Sequence, residues 1–307
     1  MHSSSAAASL YPLRESRAEP CFATREPTRE KRARPGLGTF VEIDIDILDG
    51  GNCAASIAAA FDEIARVERI MSAHRACSDV GRINAAAVNV PISIDSATFD
   101  VLAAAQALHR DSDGLFDCAI APQLEQRGLL PHSPHNGDGN ATCADLELIA
   151  PGGVVKKKAL RIDLGGIAKG YAVDRAVVAL IEAGATSGCV NAGGDLRVFG
   201  RLARRIHVRD PDAPTRWLAL IDLQDSAIAT SGNYFTREAK RDALITPTTA
   251  EKVSRTRFDA GASISVRAPC CMLADALTKV VALSGDAGHP LLARLNAEAI
   301  ILERRFL

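Results

Sequence analysis

Aromatic residues make up only 4% of this 307-residue chain, with nine Phe, three Tyr and one Trp, so the stacking platforms that hold single-stranded bases are scarce. An excess of one charge is missing too. The chain has 36 Lys and Arg against 37 Asp and Glu, which removes the whole-molecule attraction a non-specific nucleic-acid binder would use. No apolar run approaches the roughly 20 residues of a membrane-spanning helix. The eight Cys include no Cys-x-x-Cys pair and no regular spacing, which argues against a disulfide framework or a zinc site. The adjacent Cys270 and Cys271 read as packing residues. No basic segment followed by an apolar core opens the chain, so the expected location is cytoplasmic.

What is present is the composition of a folded protein, 47% hydrophobic. Residues 1–36 mix Ser, Pro, Glu and many Arg without apolar periodicity, and are expected to form a disordered basic arm. Residues 37–307 are expected to form the folded unit. Within it Val41, Ile43, Ile45 and Ile47 alternate with polar residues, the period-2 pattern of a half-buried strand. Ile57, Phe61, Ile64, Val67 and Ile70 recur at three and four, which predicts an amphipathic helix over 54–71. Helices are also expected near 96–109, 168–183 and 272–283, and around Leu291. Strands are expected ending at Arg161–Leu164, over 188–191 and through Ile228, near 263–267 and over 299–302. Alternation without a long βαβ series favours an α+β fold over a doubly wound sheet. His132 and His135 lie in a Pro- and Gly-rich loop with no carboxylate at helical spacing, which weighs against a metal site there.

Four glycine-bearing stretches stand out: Asp113–Asp117, Asp163–Asp174, Asn191–Asp195 and Ala229–Tyr234. Paired glycines near a strand end or a helix start let backbone N–H groups approach an anion. Taken singly, each stretch reads as a tight turn more readily than as an anion site. No Gly-Lys-Ser/Thr ending and no strand-borne G-x-G-x-x-G occurs, so a P-loop enzyme and a Rossmann dehydrogenase are both disfavoured. Asp275 sits among Leu273, Ala274, Ala276 and Leu277, where an unpaired carboxylate would be costly. Its cation is either Lys279, at i+4 with the acid first, or a divalent metal; position alone leaves the two even.

Taken in order, Gly38–Ile43, Met71–His74, Ser78–Asn84, Gly114–Asp117, Asp163–Asp174, Asn191–Asp195, Thr230–Gly232 and Ala274–Thr278 resemble the ApbE family of FAD:protein FMN transferases. The resemblance covers the chain from about Gly38 onward. It implies an α+β, two-lobed fold with an FAD cleft between the lobes and Mg²⁺ on the pyrophosphate. It also implies transfer of the FMN half of FAD to a Thr or Ser hydroxyl of an acceptor flavoprotein, such as a redox-complex subunit, with release of AMP. The rival readings are an FAD-binding protein without transfer and an FAD pyrophosphatase. Carried over by position, Met71, Leu115, Phe116, Asp117, Gly165, Tyr171, Asp174 and Ile245 would hold the cofactor. The Ala168 carbonyl, Asp275 and Thr278 would bind the metal, and Lys169 and Asp275 would act in catalysis. Two departures stand out. Ala243–Ala250 lacks the His and Asp that many relatives carry there, and position 279 is Lys where relatives often place Thr.

Overall fold

A computed structural model describes residues 28–47, 52–134, 137–209, 217–232, 245–247 and 263–302. In chain order the elements are β1 (Thr28–Gly36), β2 (Thr39–Ile47), α1 (Cys53–Met71), α2 (Asp79–Ala85), β3 (Pro91–Ser93), α3 (Ser96–Asp111), α4 (Ala121–Gln126), β4 (Leu146–Ile149) and β5 (Gly153–Lys156). There follow α5 (Ala168–Glu182), β6 (Ala185–Ala192), β7 (Asp195–Gly200), β8 (Arg204–Arg209), β9 (Trp217–Leu223), β10 (Ser226–Gly232), β11 (Ser263–Ala268), α6 (Cys271–Ser284), α7 (Pro290–Arg294) and β12 (Glu298–Leu302). Every described strand pairing is antiparallel, as the α+β reading requires.

A seven-stranded sheet runs β1-β2-β6-β7-β10-β11-β12. Its alternation sorts the side chains by face. Val41, Ile43 and Ile45 of β2 pack with Ile57, Phe61 and Ile64 of α1 and with Val173, Val177 and Leu180 of α5. On the other face Leu196, Val198 and Ile228 meet Leu223 and Ile206 of the β8–β9 hairpin. A smaller sheet, β3-β5-β4, joins α3 and much of α6 in a second core that contains Met71, Leu115 and Phe116. No described helix is long and apolar enough to cross a membrane.

Two expectations require correction. The basic arm does not extend to residue 36, because Thr28–Gly36 is a strand paired along its length with β2, from Thr28 opposite Ile47 to Gly36 opposite Thr39. An edge strand needs no apolar alternation; its charges stay in water and discourage pairing with another chain. Here they also meet acids across the ladder, Arg29 with Asp44 at 2.5 Å and Lys31 with Glu42 at 3.0 Å. Residues 1–27 lie outside the described residues. The second correction concerns Arg161–Leu164, which is irregular backbone. Leu160, Ile162 and Leu164 are buried as a strand's residues would be. The Ile162 backbone, however, bonds to the Asn84 side chain, its N–H donating at 2.7 Å and its carbonyl accepting at 2.9 Å.

Candidate functional site

The start of α5, the β6–β7 turn, the end of β10 and the first half of α6 converge on one group of charges. The approach of α5 to α6 depends on Gly170, where a Cβ would lie 2.2 Å from the Cys271 carbonyl oxygen. That proximity lets the Gly170 N–H donate to Asp275 Oδ2 at 3.2 Å. Asp275 is wholly buried. Its Oδ1 is ion-paired with the Lys279 ammonium, which also donates to the Asp275 carbonyl at 2.9 Å. Across the site Lys169 is ion-paired with Asp195. Asp195 follows Gly193 and Gly194, whose φ values of +66° and +108° make a turn that side chains rarely adopt.

The four charges are not evenly sunk. The side chains of Asp275 and Asp195 are 1% and 4% exposed, whereas those of Lys279 and Lys169 are 24% and 36% exposed. The acids are therefore the deeper members of the group and the lysine side chains the shallower ones. Burial opposes ionisation of Asp275, but Lys279 and Lys169 outweigh it and hold the carboxyl below its ordinary pKa. Burial likewise works against the Lys169 ammonium, and Asp275 and Asp195 together raise its pKa. Asp195 is pushed up by burial and by the neighbouring Asp275, and Lys169 opposes that shift.

Hydroxyls complete the group. Thr278 donates to the Asp275 carbonyl at 2.7 Å, so in its 2.7 Å contact with Ser231 of β10 it is the acceptor. Beside Lys279 runs the Gly165–Gly166 turn. A Cβ on Gly166 would stand 3.5 Å from Lys279 Cε and 3.8 Å from the edge of the Phe116 ring. The Gly165 N–H is tied down by Asp163 Oδ1 at 2.8 Å, and Ala168 opens α5 with its N–H on the Leu164 carbonyl at 2.8 Å.

The other expected residues are placed differently. Met71 and Leu115 are buried in the core that Phe116 also joins, and Tyr171 packs half-buried against it. Asp117 accepts the N–H groups of Ala119 and Cys143 at 2.8 and 3.0 Å, which fixes the loop carrying Phe116. Asp174 closes the start of α6: it accepts the N–H groups of Cys271 and Met272 at 2.9 and 2.8 Å and pairs with Arg197 at 2.9 Å. Such a carboxylate suits the positive end of a helix. Ile245 is buried. Ala243, Leu244 and Thr248–Ala250, like His135, lie outside the described residues. Asp195 and Ser231 mark no site of their own in the sequence, lying in the Asn191–Asp195 and Ala229–Tyr234 stretches; only the fold sets them against Lys169 and Thr278.

The divalent ion that the resemblance implies does not fit this donor set as it stands. Carboxylate, hydroxyl and carbonyl oxygens suit a hard cation. Yet Oδ1 of Asp275 carries an ammonium, Oδ2 carries an N–H, and the Thr278 hydroxyl is engaged on both sides. A cleft of about 830 Å³ opens on the opposite face of the large sheet, between it and the β8–β9 hairpin. Its lining includes the Gly193–Gly194 turn and Thr230, and its cations Arg29 and Arg204 are paired with Asp44 and Asp46 of the sheet.

Comparison with known proteins gives the chain its family. A protein described as an FAD:protein FMN transferase from Vibrio cholerae is 28% identical over 251 residues, covering 76% of this chain and 74% of its own. One of the same description from Haemophilus influenzae is 27% identical over 84% of this chain and 82% of its own. Among solved structures, the apo flavinyl transferase ApbE of Pseudomonas stutzeri superposes with a TM-score of 0.76 at 22% identity, covering 92% of this chain and 93% of its own. The ApbE protein of Thermotoga maritima gives 0.72 at 26% identity, with 89% and 94% covered. The ApbE family model matches residues 37–301, and the chain belongs to that family.

Proposed function

We propose that the chain transfers the FMN half of FAD to a Ser or Thr hydroxyl of an acceptor protein. The observation that carries this reading is the pair of partly exposed lysines, Lys169 and Lys279, set over buried acids beside a Gly-Gly turn and the Phe116 edge, in a member of this family. A diphosphate brings two negative charges, and two ammoniums with fixed partners offset them without reorganising. In the reaction the acceptor oxygen bonds to the FMN phosphorus, and the P–O–P bridge to the adenosine half breaks. AMP leaves, and the hydroxyl proton passes to water. The protein's part is positioning and charge stabilisation, as in other phosphoryl transfers.

Lys169 and Lys279 are the groups assigned to the phosphates, with Asp195 and Asp275 orienting them. The exposed Gly165 leaves the turn open to the cofactor, and Phe116 provides the adjacent apolar wall. Met71, Leu115 and Tyr171 support that wall from the core. Asp117, Asp174 and Ile245 act as positioning residues. The Ala168 carbonyl and the Thr278 hydroxyl border the diphosphate position.

Incubation with FAD and a flavin-accepting protein domain should give a fluorescent band that survives denaturing electrophoresis, together with an equal amount of AMP. Absence of the band with several acceptors would overturn the proposal. Free FMN with AMP and unlabelled protein would mean that water is the acceptor.

A further inference from the structure

Lys279 does more than neutralise a buried acid. Its ammonium bridges the Asp275 carboxylate and the carbonyl of the same residue, two oxygens that a divalent ion seated at Asp275 would approach. Its stem passes the open side of Gly166. A lysine fixed at both ends in this way loses little further rotamer freedom when a ligand arrives. Lys169, held on Asp195, stands beside it with more of its length exposed. A divalent cation brought to Asp275 would have to expel Lys279 into a group that already contains Lys169, placing like charges together where solvent screens them little. An anion meets the opposite situation, since the lysines are the partly exposed members of the group and the carboxylates are buried.

We propose that Lys279 is the resident cation of this site, occupying the position at Asp275 where a divalent ion would otherwise bind, so that the diphosphate of a dinucleotide is received directly by Lys279 and Lys169. The inference rests on the flavin-transfer reading for the identity of the dinucleotide, but its claim about Asp275 does not. Lys279 is the position-specific element: with a shorter neutral side chain at 279, Oδ1 of Asp275 and the carbonyl of the same residue would lose their ammonium and face a vacated space, and carboxylate and carbonyl oxygens suit a hard divalent ion.

Two titrations test this. In the first, Mn²⁺ is added to flavin-free protein and the free ion is followed by electron paramagnetic resonance. The full chain should show no site dependent on Asp275. Lys279→Ala should gain one Mn²⁺ site, and Lys279→Ala with Asp275→Asn should lose it again. Lys279→Met, which keeps the packed stem, replaces the alanine variant should the latter fail to fold. One stoichiometric Mn²⁺ on the unaltered protein, abolished by Asp275→Asn, would overturn the proposal, as would a Lys279 variant that gains no site. In the second, FAD binding is followed by quenching of flavin fluorescence in EDTA and in Mg²⁺. The unaltered protein should bind equally well in both. Lys279→Ala should bind roughly tenfold more weakly in EDTA and recover in Mg²⁺. FAD binding by the unaltered protein that depends on Mg²⁺ would also overturn the proposal. If FAD binds under neither condition, the flavin reading fails, and the Mn²⁺ titration still decides where Lys279 stands.

Discussion

Asp275 and Asp117 are both carboxylates sunk in the hydrophobic interior, 0% and 7% exposed, and they are satisfied by opposite kinds of partner. Asp275 accepts one backbone N–H and otherwise meets an ammonium whose side chain reaches solvent. Asp117 spends one oxygen on two backbone N–H groups, and its other oxygen lies 3.3 Å from Nδ1 of His109. That imidazole is itself mostly buried, near the Phe116 carbonyl at 3.0 Å and grouped with Cys143. The Asp117 group is closed on itself and holds a loop. The Asp275 group is buried on its acid side and reaches solvent through its lysine side chains. Burial of acids alone therefore does not mark a site in this protein; the exposure of the paired cations separates scaffold from candidate chemistry.

The sharpest way to break that contrast is Asp275→Ala. It would leave Lys279 and the Gly170 N–H facing an apolar hole and Lys169 short of one of its two acids. Removing one partner of a buried pair costs about 3–5 kcal/mol, which urea unfolding would read as a large drop in midpoint. Transfer of flavin to the acceptor should be lost as well. An unchanged midpoint would mean that the Asp275–Lys279 pair is not part of the support of α6.

Asp117→Ala should come next. Two N–H groups, that of Cys143 buried and that of Ala119 partly so, lose their acceptor at about 1–3 kcal/mol each, partly recovered by relaxation, so a loss of about 3 kcal/mol is expected. Asp117→Asn keeps an acceptor oxygen for both N–H groups and should cost about 1 kcal/mol. If the two variants were equally damaging, the contact with His109 would outweigh the backbone bonds, and Asp117 would resemble Asp275 more closely than the geometry indicates.

The same contrast explains what could be read from the sequence. Periodicity exposes elements with one apolar face, so β2, α1, α3, α5 and α6 were legible to within a few residues. It misses β1, whose stability comes from backbone pairing and cross-strand charges at an edge. It misreads Arg161–Leu164, where the alternating burial of Leu160, Ile162 and Leu164 is real but the hydrogen-bond partner is a side chain, Asn84. In the site, Asp275 and Lys279 lie one helical turn apart, so their pairing was visible as one of two options. The Lys169–Asp195 pair spans 26 residues and depends on how the β6–β7 turn meets α5. The His109, Asp117 and Cys143 group was invisible, because His109 and Cys143 come from distant stretches and nothing in either announces the other.

The mildest test uses pH, because the two groups should titrate in different ranges. Contact with the Cys143 side chain, and to a lesser degree with Asp117 and the Phe116 carbonyl, outweighs burial and raises the His109 pKa from 6.5 to about 9. A group whose pKa rises on folding is protonated in both states below its unfolded value. The stability it contributes is therefore complete below about pH 6.5 and is lost as the pH climbs through about 9. With solvent reaching part of the ring, the loss should be about 1 kcal/mol, seen as a falling urea midpoint that becomes flat in His109→Gln. Cys143→Ser removes the chief partner and should move the fall to lower pH. Asp275 is held below, and Lys169 above, its ordinary value, so these two keep their charges across the same window and FAD affinity should not follow the fall in stability. An affinity that fell in step with stability would show that the loop carrying Phe116 loosens when His109 loses its proton, and would join the two groups into one functional unit.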